Sequence, residues 1–412
     1  MATQDVAPAG VSFDTDEETN LILQSIDDFI EQEVAPLEDE LGDTWSNPRK
    51  RHEDDGRMVP EVVEALQEVR RRSAEAGFYA MNLPQEVGGE GVSNVTWYRA
   101  LKHVASHGPG LHSAMLAGPE GPKPLLMQAE GDQVEQYLKP AVRGEKSTAF
   151  AQTEPGAGSD SPSMQTSAEK DGDEWVINGT KQWITNGTVG DYFVVLCDTN
   201  PDASSRYSGF SQIIVESDRD GFEADKITGK MGIRASDTAE LIFNDVRVPE
   251  ENLVGTRGAG FMQLMQFFDE TRTMVAAQGV GIAKGAYERA LEYAQEREQF
   301  GQAIGEFQAI QHKLADMATK TEAARQLTYK SAWSVENKDE QLTSLASMAK
   351  EFGSRVAVDV ANEGVQIHGG SGYVNDFDAE RFYRDAKITQ IYEGTTEIQN
   401  NIIARELLGK GF

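Results

Sequence analysis

Near the C-terminus the chain runs Gln390-Ile391-Tyr392-Glu393-Gly394-Thr395-Thr396-Glu397-Ile398-Gln399, which sets a carboxylate between an aromatic ring and a glycine ahead of an amphipathic run. A carboxylate of that kind, buried over a cofactor, is a general base. Thr396 with Gln399 fits a capping box, and Ile398, Ile402 and Leu407 fall near one helical stripe, so Glu393 is expected in the turn that enters a helix. Such turns also carry acids merely to suit the helix dipole, and the fragment alone leaves both readings open. Two other segments bear on the choice. Phe150-Ala151-Gln152-Thr153-Glu154-Pro155-Gly156-Ala157-Gly158-Ser159-Asp160 reads as a strand entering a loop whose backbone N–H groups can meet a phosphate or heterocycle, although Pro and Gly also make ordinary turns. Lys181-Gln182-Trp183-Ile184-Thr185-Asn186-Gly187 offers an aromatic face at Trp183 and a hydroxyl at Thr185, which alternation along a strand would put on one side.

These groups need elements to position them. Residues 1–146 read mainly as helices. Thr15 with Glu18 can cap a first helix, Leu23, Ile26, Ile30 and Val34 keep helical spacing up to Pro36, and a second helix runs from Pro60 toward Gly77. The polar, mixed-charge stretch from Gly42 to Met58, interrupted by Pro48, reads as a surface loop. Residues 147–254 change to short aromatic and β-branched runs. Trp175-Val176-Ile177 and Trp183-Ile184-Thr185 on either side of Asn178-Gly179 predict a hairpin, and Phe193–Leu196, Ile213–Val215 and Leu241–Phe243 predict further strands of a compact β-barrel or sandwich. Long helical patterns return in residues 255–412, as in Phe307–Met317. This is an α+β, mainly α organisation. Helices, then strands, then helices, without βαβ alternation, argue against a doubly wound nucleotide fold. Any dinucleotide must be held another way.

At 412 residues and 39% apolar content the chain is long enough for several cores, and its formal charge of -30 sets nucleic acids and anionic membranes aside as partners. The acids are scattered, which suggests a surface adapted to high salt. No apolar run reaches the length of a membrane span and the acidic N-terminus lacks the pattern of a signal peptide, so a cytoplasmic location is expected. Cys197 is the only cysteine, which leaves no internal disulfide and suggests a packing role. His103, His107 and His112 raise the question of a metal, but Gly108-Pro109-Gly110 interrupts a shared helical face and no acid–histidine motif accompanies them. No metal site is expected.

Taken in order, these segments resemble the signatures of the acyl-CoA dehydrogenase family of flavoproteins over nearly the whole chain. The resemblance implies bound FAD. In the first segment Phe150, Gln152, Thr153, Gly158 and Ser159 would meet the cofactor, with Thr153 on the isoalloxazine ring and Ser159 near the flavin phosphate and the coenzyme A chain. In the second, Trp183 would pack against the ring beside Ile184, with Thr185 hydrogen-bonding it. Phe150 and Gln152 depart from the side chains of many relatives. Phe268-Asp269-Glu270-Thr271-Arg272 is similar to the family's substrate-contacting helix, so Asp269 and Arg272 join Tyr392, Gly394 and Ser159 as substrate-contacting residues, although such a pair on a helix is also a common surface ion pair. Arg297, Phe300 and Gln308 resemble the segment that reaches the flavin pyrophosphate of a neighbouring subunit, and Gln366, Gly369 and Gly370 the turn beside its adenosine end.

Thr395 and Glu397 fall on the family's flavin-contacting helix start, and Glu393 on its base. Some members carry the base at the position of Thr271, which cannot serve here. The resemblance implies α,β-dehydrogenation of an acyl-CoA to a trans-2-enoyl-CoA, as in fatty-acid β-oxidation. It further implies electron delivery to an electron-transfer flavoprotein, a homotetramer or at least a dimer, and a C-terminal four-helix bundle. An acyl-CoA oxidase, a flavin monooxygenase of the same fold and a silent acyl-CoA-binding protein are the alternatives. For Glu393 the helix dipole lowers the pKa and desolvation raises it, and desolvation is expected to dominate once substrate is bound.

Overall fold

The structure is a computed structural model and describes residues 16–108, 110–205 and 207–409. The N-terminal part contains α1 (Glu17–Phe29), α2 (Pro60–Glu75) and α3 (Asn94–Ser106) among shorter helical turns. Asp16, not Thr15, caps α1, its carboxylate accepting from the Thr19 N–H at 2.6 Å, while Thr15 lies outside the described residues. The stripe read in the sequence is real, since Ile26 and Val34 are buried.

The stretch from Gly42 to Met58 runs largely over the surface, as expected, but it is anchored by the buried Trp45, Arg51 and Met58. Asp43–Ser46 form a helical turn that buries Trp45, and the buried Arg51 guanidinium lies 4.1 Å from the Trp45 ring centroid. Arg57 donates to the Ala224 carbonyl at 3.1 Å, which ties the segment to the β domain.

The middle of the chain forms an eight-stranded mixed sheet: β1 (Thr148–Ala151), β2 (Ser167–Asp171), β3 (Glu174–Thr185), β4 (Tyr192–Asp198), β5 (Phe210–Glu216), β6 (Phe222–Lys226), β7 (Thr238–Pro249) and β8 (Leu253–Val254). The order is β6-β7-β3-β2-β4-β5-β8, with β1 parallel to β4. The hairpin expected at Asn178-Gly179 does not exist. Both flanking runs belong to the single strand β3, which pairs with β7 on either side of a register shift between Ile177 and Gly179. The dipeptide is a bulge. Gly179 has φ 146°, and a Cβ there would come within 2.5 Å of Thr166 Oγ1. Asn178 meanwhile spends its side chain on Asp245 at 2.9 Å. The tight connection is one strand earlier, between β2 and β3, where Gly172 takes φ 62°.

Cys197 is a fully buried part of the sheet core, and burial pushes its thiol up to about 12. Beside that core, Lys181 is fully buried and pairs with Glu154 at 2.9 Å, while it also donates to the Gln152 carbonyl. Glu154 accepts from the backbone N–H groups of Gln165 and Thr166 as well, so this one carboxylate pins the loop that follows β1.

Helices resume with α4 (Gly260–Glu296), α5 (Gln308–Asn337), α6 (Leu342–His368), α7 (Ala379–Ala386) and α8 (Thr396–Leu408). Small residues let α4 approach its neighbours closely. A Cβ at Gly281 would lie 2.3 Å from the Lys102 carbonyl of α3, and one at Gly279 would lie 3.0 Å from the Gly353 carbonyl of α6. The α+β, mainly α organisation is thus the one expected.

Removing Lys181 strands the Glu154 carboxylate in the interior. Lys181→Met is expected to cost roughly 3–5 kcal/mol, and the double variant Lys181→Met/Glu154→Gln, which removes the stranded charge but keeps an acceptor for the Gln165 and Thr166 N–H groups, to recover part of it. Chemical denaturation midpoints check both.

Candidate active site

The turn between Tyr392 and Thr395 is held from three sides. Glu393 has φ 52°, in the left-handed region that costs a side-chain-bearing residue energy, so its neighbours must fix it. Gln399 Nε2 donates to the carbonyls of Glu393 and Gly394, both at 3.0 Å, and Lys350 Nζ of α6 donates to the Gly394 carbonyl at 2.6 Å. Thr271 Oγ1 of α4 donates to Glu393 Oε2 at 2.7 Å. Thr395, one residue before the threonine expected to do so, caps α8 by accepting from the Ile398 N–H at 3.3 Å. The capping box therefore fails by one position, because Gln399 turns back to the strained carbonyls instead of capping the helix.

Glu393 is only partly exposed, and desolvation pushes its pKa up to about 7. The hydrogen bond from Thr271 opposes this, the nearby Glu120 carboxyl adds to it, and the positive charges of Arg272 and Lys350 hold it down. Desolvation was expected to win only under a bound acyl chain. The protein's own atoms already suffice. Burial also pushes Glu120 up and lowers Lys350 to about 8.

Next to this turn lies a cavity of about 330 Å³ whose lining includes Tyr392, Met274 and Gln278 of α4, Leu101 and Val104 of α3, Thr185 of β3, and Glu120. The Tyr392 hydroxyl donates to Gln278 Oε1. Helices thus form one wall and the sheet the other. Asp269 and Arg272 pair at 2.9 Å, with the Arg272 side chain buried. It is not a surface ion pair. Asp269 also accepts from Thr343 Oγ1 at 2.9 Å, and the Arg272 charge reaches Glu393.

The sheet-side residues separate by role. Thr185 lines the cavity, and the Phe150 ring packs on Phe267 with centroids 4.5 Å apart. Trp183 is 58% exposed with φ 65°, and the register shift between Lys181 and Ile184 breaks the alternation that would have paired it with Thr185. Ile184 packs its side chain into the sheet core, so only its main chain is left for a ligand. Gln152 is buried and donates to Ser161 Oγ at 2.8 Å, with Thr153 next to it accepting from the Gln182 N–H through its carbonyl. Gly158 and Ser159 are exposed in the loop beyond.

A third group stands apart. Arg297, Phe300 and Gln308 are exposed past the C-terminal end of α4, roughly 37 Å along that helix from Thr271 at 1.5 Å per residue. Gln366, Gly369 and Gly370 are exposed at the corresponding end of α6, brought beside them by Tyr293 stacking on His368 at 4.4 Å. One chain does not bring this group to Glu393.

Comparison with known proteins supplies the family. The acyl-CoA dehydrogenase N-terminal, middle and C-terminal domain profiles match residues 16–145, 149–246 and 258–408. The chain belongs to the acyl-CoA dehydrogenase family. Members of that family are oxidoreductases and FAD flavoproteins. The chain is 38% identical to the mitochondrial short-chain specific acyl-CoA dehydrogenase of Rattus norvegicus over 403 residues, covering 96% of this chain and 92% of the relative. It is 40% identical to the CarC subunit of the caffeyl-CoA reductase-Etf complex of Acetobacterium woodii over 354 residues, covering 85% and 92%. The butyryl-CoA dehydrogenase structure from Megasphaera elsdenii superposes with a TM-score of 0.83 at 35% identity, covering 96% of this chain and all of that one.

The residues present fit the family's cofactor. Beyond Gly156, Gly158, Gly369 and Gly370 the space where a Cβ would point is open, as close backbone approach to a phosphate requires, and the exposed Trp183 presents a ring face beside the cavity strand. For an acyl-CoA dehydrogenase, three residues of this site escaped the sequence reading, Glu120, Gln278 and Lys350, and Gln399 was read there only as a capping residue. Only Lys350 left a trace, as a charge inside the small, apolar helical run Leu345-Ala346-Ser347-Met348-Ala349.

A base role for Glu393 requires its ionised form, so if the carboxyl carries that role, turnover of acyl-CoA should rise with pH through about 7 and level off above it. Thr271→Ala and Lys350→Met each remove an influence that lowers this pKa and are expected to move the midpoint to higher pH. Glu120→Gln removes one that raises it and should move the midpoint down. The three pH profiles check the signs.

Proposed function

We propose that the protein is an FAD-dependent acyl-CoA dehydrogenase in which Glu393 takes the α-proton of an acyl-CoA thioester. The observation that supports this most is a desolvated carboxyl with a pKa of about 7, fixed in a strained turn beside a cavity. A thioester α-proton is weakly acidic, so its removal needs a positioned base near neutrality and donors for the developing enolate oxygen. Glu393 Oε takes the proton from Cα, and its backbone N–H is the family's donor to the thioester oxygen. The β-hydrogen leaves with its electron pair, and the Cα–Cβ double bond of a trans-2-enoyl-CoA forms. Bound FAD supplies the two-electron acceptor.

In this reading Thr153, Trp183, Thr185, Thr395 and Glu397 hold the flavin ring. Phe150, Gln152, Gly158, Ser159 and the main chain of Ile184 border it. Arg297, Phe300 and Gln308 of a second copy meet the pyrophosphate, with Gln366, Gly369 and Gly370 near the adenosine end. Asp269, Arg272, Tyr392, Gly394 and Ser159 position the thioester. An almost fully exposed phenylalanine, Phe300 at 96%, supports a homo-oligomer, because a tip of that kind gains by being covered. The likeness to a subunit of an Etf complex supports an electron-transfer flavoprotein as acceptor. None of the described helices is long and apolar enough to cross a membrane.

The Acetobacterium woodii relative bears the name of a reductase, which favours a second reading. With a pKa of about 7 the same carboxyl is half protonated at neutrality and can return a proton to Cα of an enoyl thioester. Anaerobic flavin bleaching by saturated acyl-CoAs, compared with reoxidation of the reduced flavin by enoyl-CoAs, separates the two directions. In either direction Glu393→Gln should retain FAD and bind acyl-CoA while losing roughly three or more orders of magnitude in flavin reduction or reoxidation. A near wild-type rate removes Glu393 from the role.

A formal charge of -30 also supports a salt-adapted surface. Raising potassium chloride from about 0.1 M, where the Debye length is about 10 Å, toward molar concentrations, where it is about 3 Å, should raise the melting temperature. A flat response counts against it.

A further inference from the structure

On the far side of α3 from the cavity, two helices bring three potential ligands to one point. His103 and His107 lie one helical turn apart at the end of α3, and Asp27 projects from α1 between them. His103 Nε2 is 2.7 Å and His107 Nε2 2.9 Å from the same oxygen, Asp27 Oδ1. The Gly108-Pro109-Gly110 interruption that argued against a metal falls after both histidines and separates only His112 from them. The missing acid comes from another helix, which no local motif could reveal.

We propose that Asp27, His103 and His107 form a site for a borderline divalent cation of the zinc class, distinct from the Glu393 site. His103 Nε2 is within hydrogen-bonding distance of Asp27 Oδ1, at 2.7 Å, and leaves the second histidine as the unsatisfied one. His107 Nε2 is buried and lacks a hydrogen-bond partner of acceptable angle, although it sits close to Asp27. A cation would engage all three ligand atoms, the unsatisfied His107 nitrogen included, and histidines four residues apart on a helix are a recurrent zinc-binding pair. Tetrahedral zinc at about 2.0–2.1 Å from each ligand sets neighbouring ligand atoms roughly 3.3 Å apart. The observed separations need to open by about half an ångström, which the half-exposed Asp27 side chain permits.

The surroundings favour a cation. The three ligands line an open cleft of about 510 Å³ shared with Glu31, Glu288, Lys284 and Arg289. Lys284 is paired with Glu288 at 2.8 Å, and Arg289 donates to the Ser106 and His107 carbonyls. With Asp27 and Glu31 set against these engaged cations, the cleft has a carboxylate excess. The fourth coordination position opens to the cleft, where water can fill it. A bound ion cross-links α1 to α3, the helix whose other face carries Leu101 and Val104 of the cavity. Its role is structural.

The test uses the full-length holoenzyme stripped with a chelator. Zinc titrated by calorimetry should bind at one ion per chain and raise the melting temperature, and cobalt(II) should give the visible absorption of a tetrahedral site. Asp27→Asn and His107→Gln should each weaken zinc binding by more than about 100-fold while leaving the flavin content and basal turnover unchanged. His103→Gln serves as an independent third variant should either of the others fail to fold. Absence of stoichiometric zinc uptake, or wild-type affinity in the folded variants, overturns the proposal.

Discussion

Keeping water away from one carboxyl group is the constraint on which the rest of this structure depends. Glu393 would ionise well below neutrality on an open surface, and burial, together with the neighbouring Glu120 and against the pull of Thr271, Arg272 and Lys350, brings it to about 7. Burial without restraint would make the group a neutral, inert acid. Thr271, Arg272 and Lys350 supply the opposing influence, each from a helix that also packs the bundle. The resulting pKa is a balance between a desolvation cost and nearby positive or hydrogen-bonding groups. Either contribution alone would move the carboxyl out of its useful range.

That balance requires three helices to meet at close quarters. Gly279 of α4 removes the Cβ that would hold α6 away, so Thr271 and Lys350 reach the same turn from different helices while Gln399 reaches it from α8. The left-handed backbone at Glu393 is affordable only because Gln399 and Lys350 occupy the carbonyls of the turn. Strain, packing and proton affinity are therefore coupled, and a change in any of the three helices is felt at the carboxyl.

The sheet contributes the opposite wall and obeys a different economy. Its core is apolar around Cys197 and Phe193, yet its rim relies on the buried Lys181–Glu154 pair to shape the loop after β1. A buried ion pair is a weak source of stability, but it makes the loop's conformation specific, because each group left alone would be an uncompensated charge. The bulges of β3 serve the same end. They expose Trp183 and aim Thr185 into the cavity, which an unbroken strand would not do.

Much of this was legible in the chain itself. Helical periodicity, the switch to β-branched runs and the signature segments located the helices, the sheet and Glu393 without any coordinates. Readings that depended on a local pattern failed wherever a distant partner competed. Asn178-Gly179 looked like a hairpin turn until Thr166 and Asp245 claimed it as a bulge. Gln399 looked like a capping residue until two strained carbonyls claimed its amide. Gly42–Met58 is the surface segment its polarity suggested, but its anchoring by Trp45 and Arg51 was not legible. What the sequence determined by itself is which residues can do chemistry and which elements carry them, since both follow from side-chain type and short-range spacing. Only the tertiary structure decided the proton affinity of Glu393 and the meeting of Asp27 with His103 and His107. Desolvation and electrostatic coupling act through space, between atoms dozens or hundreds of residues apart along the chain.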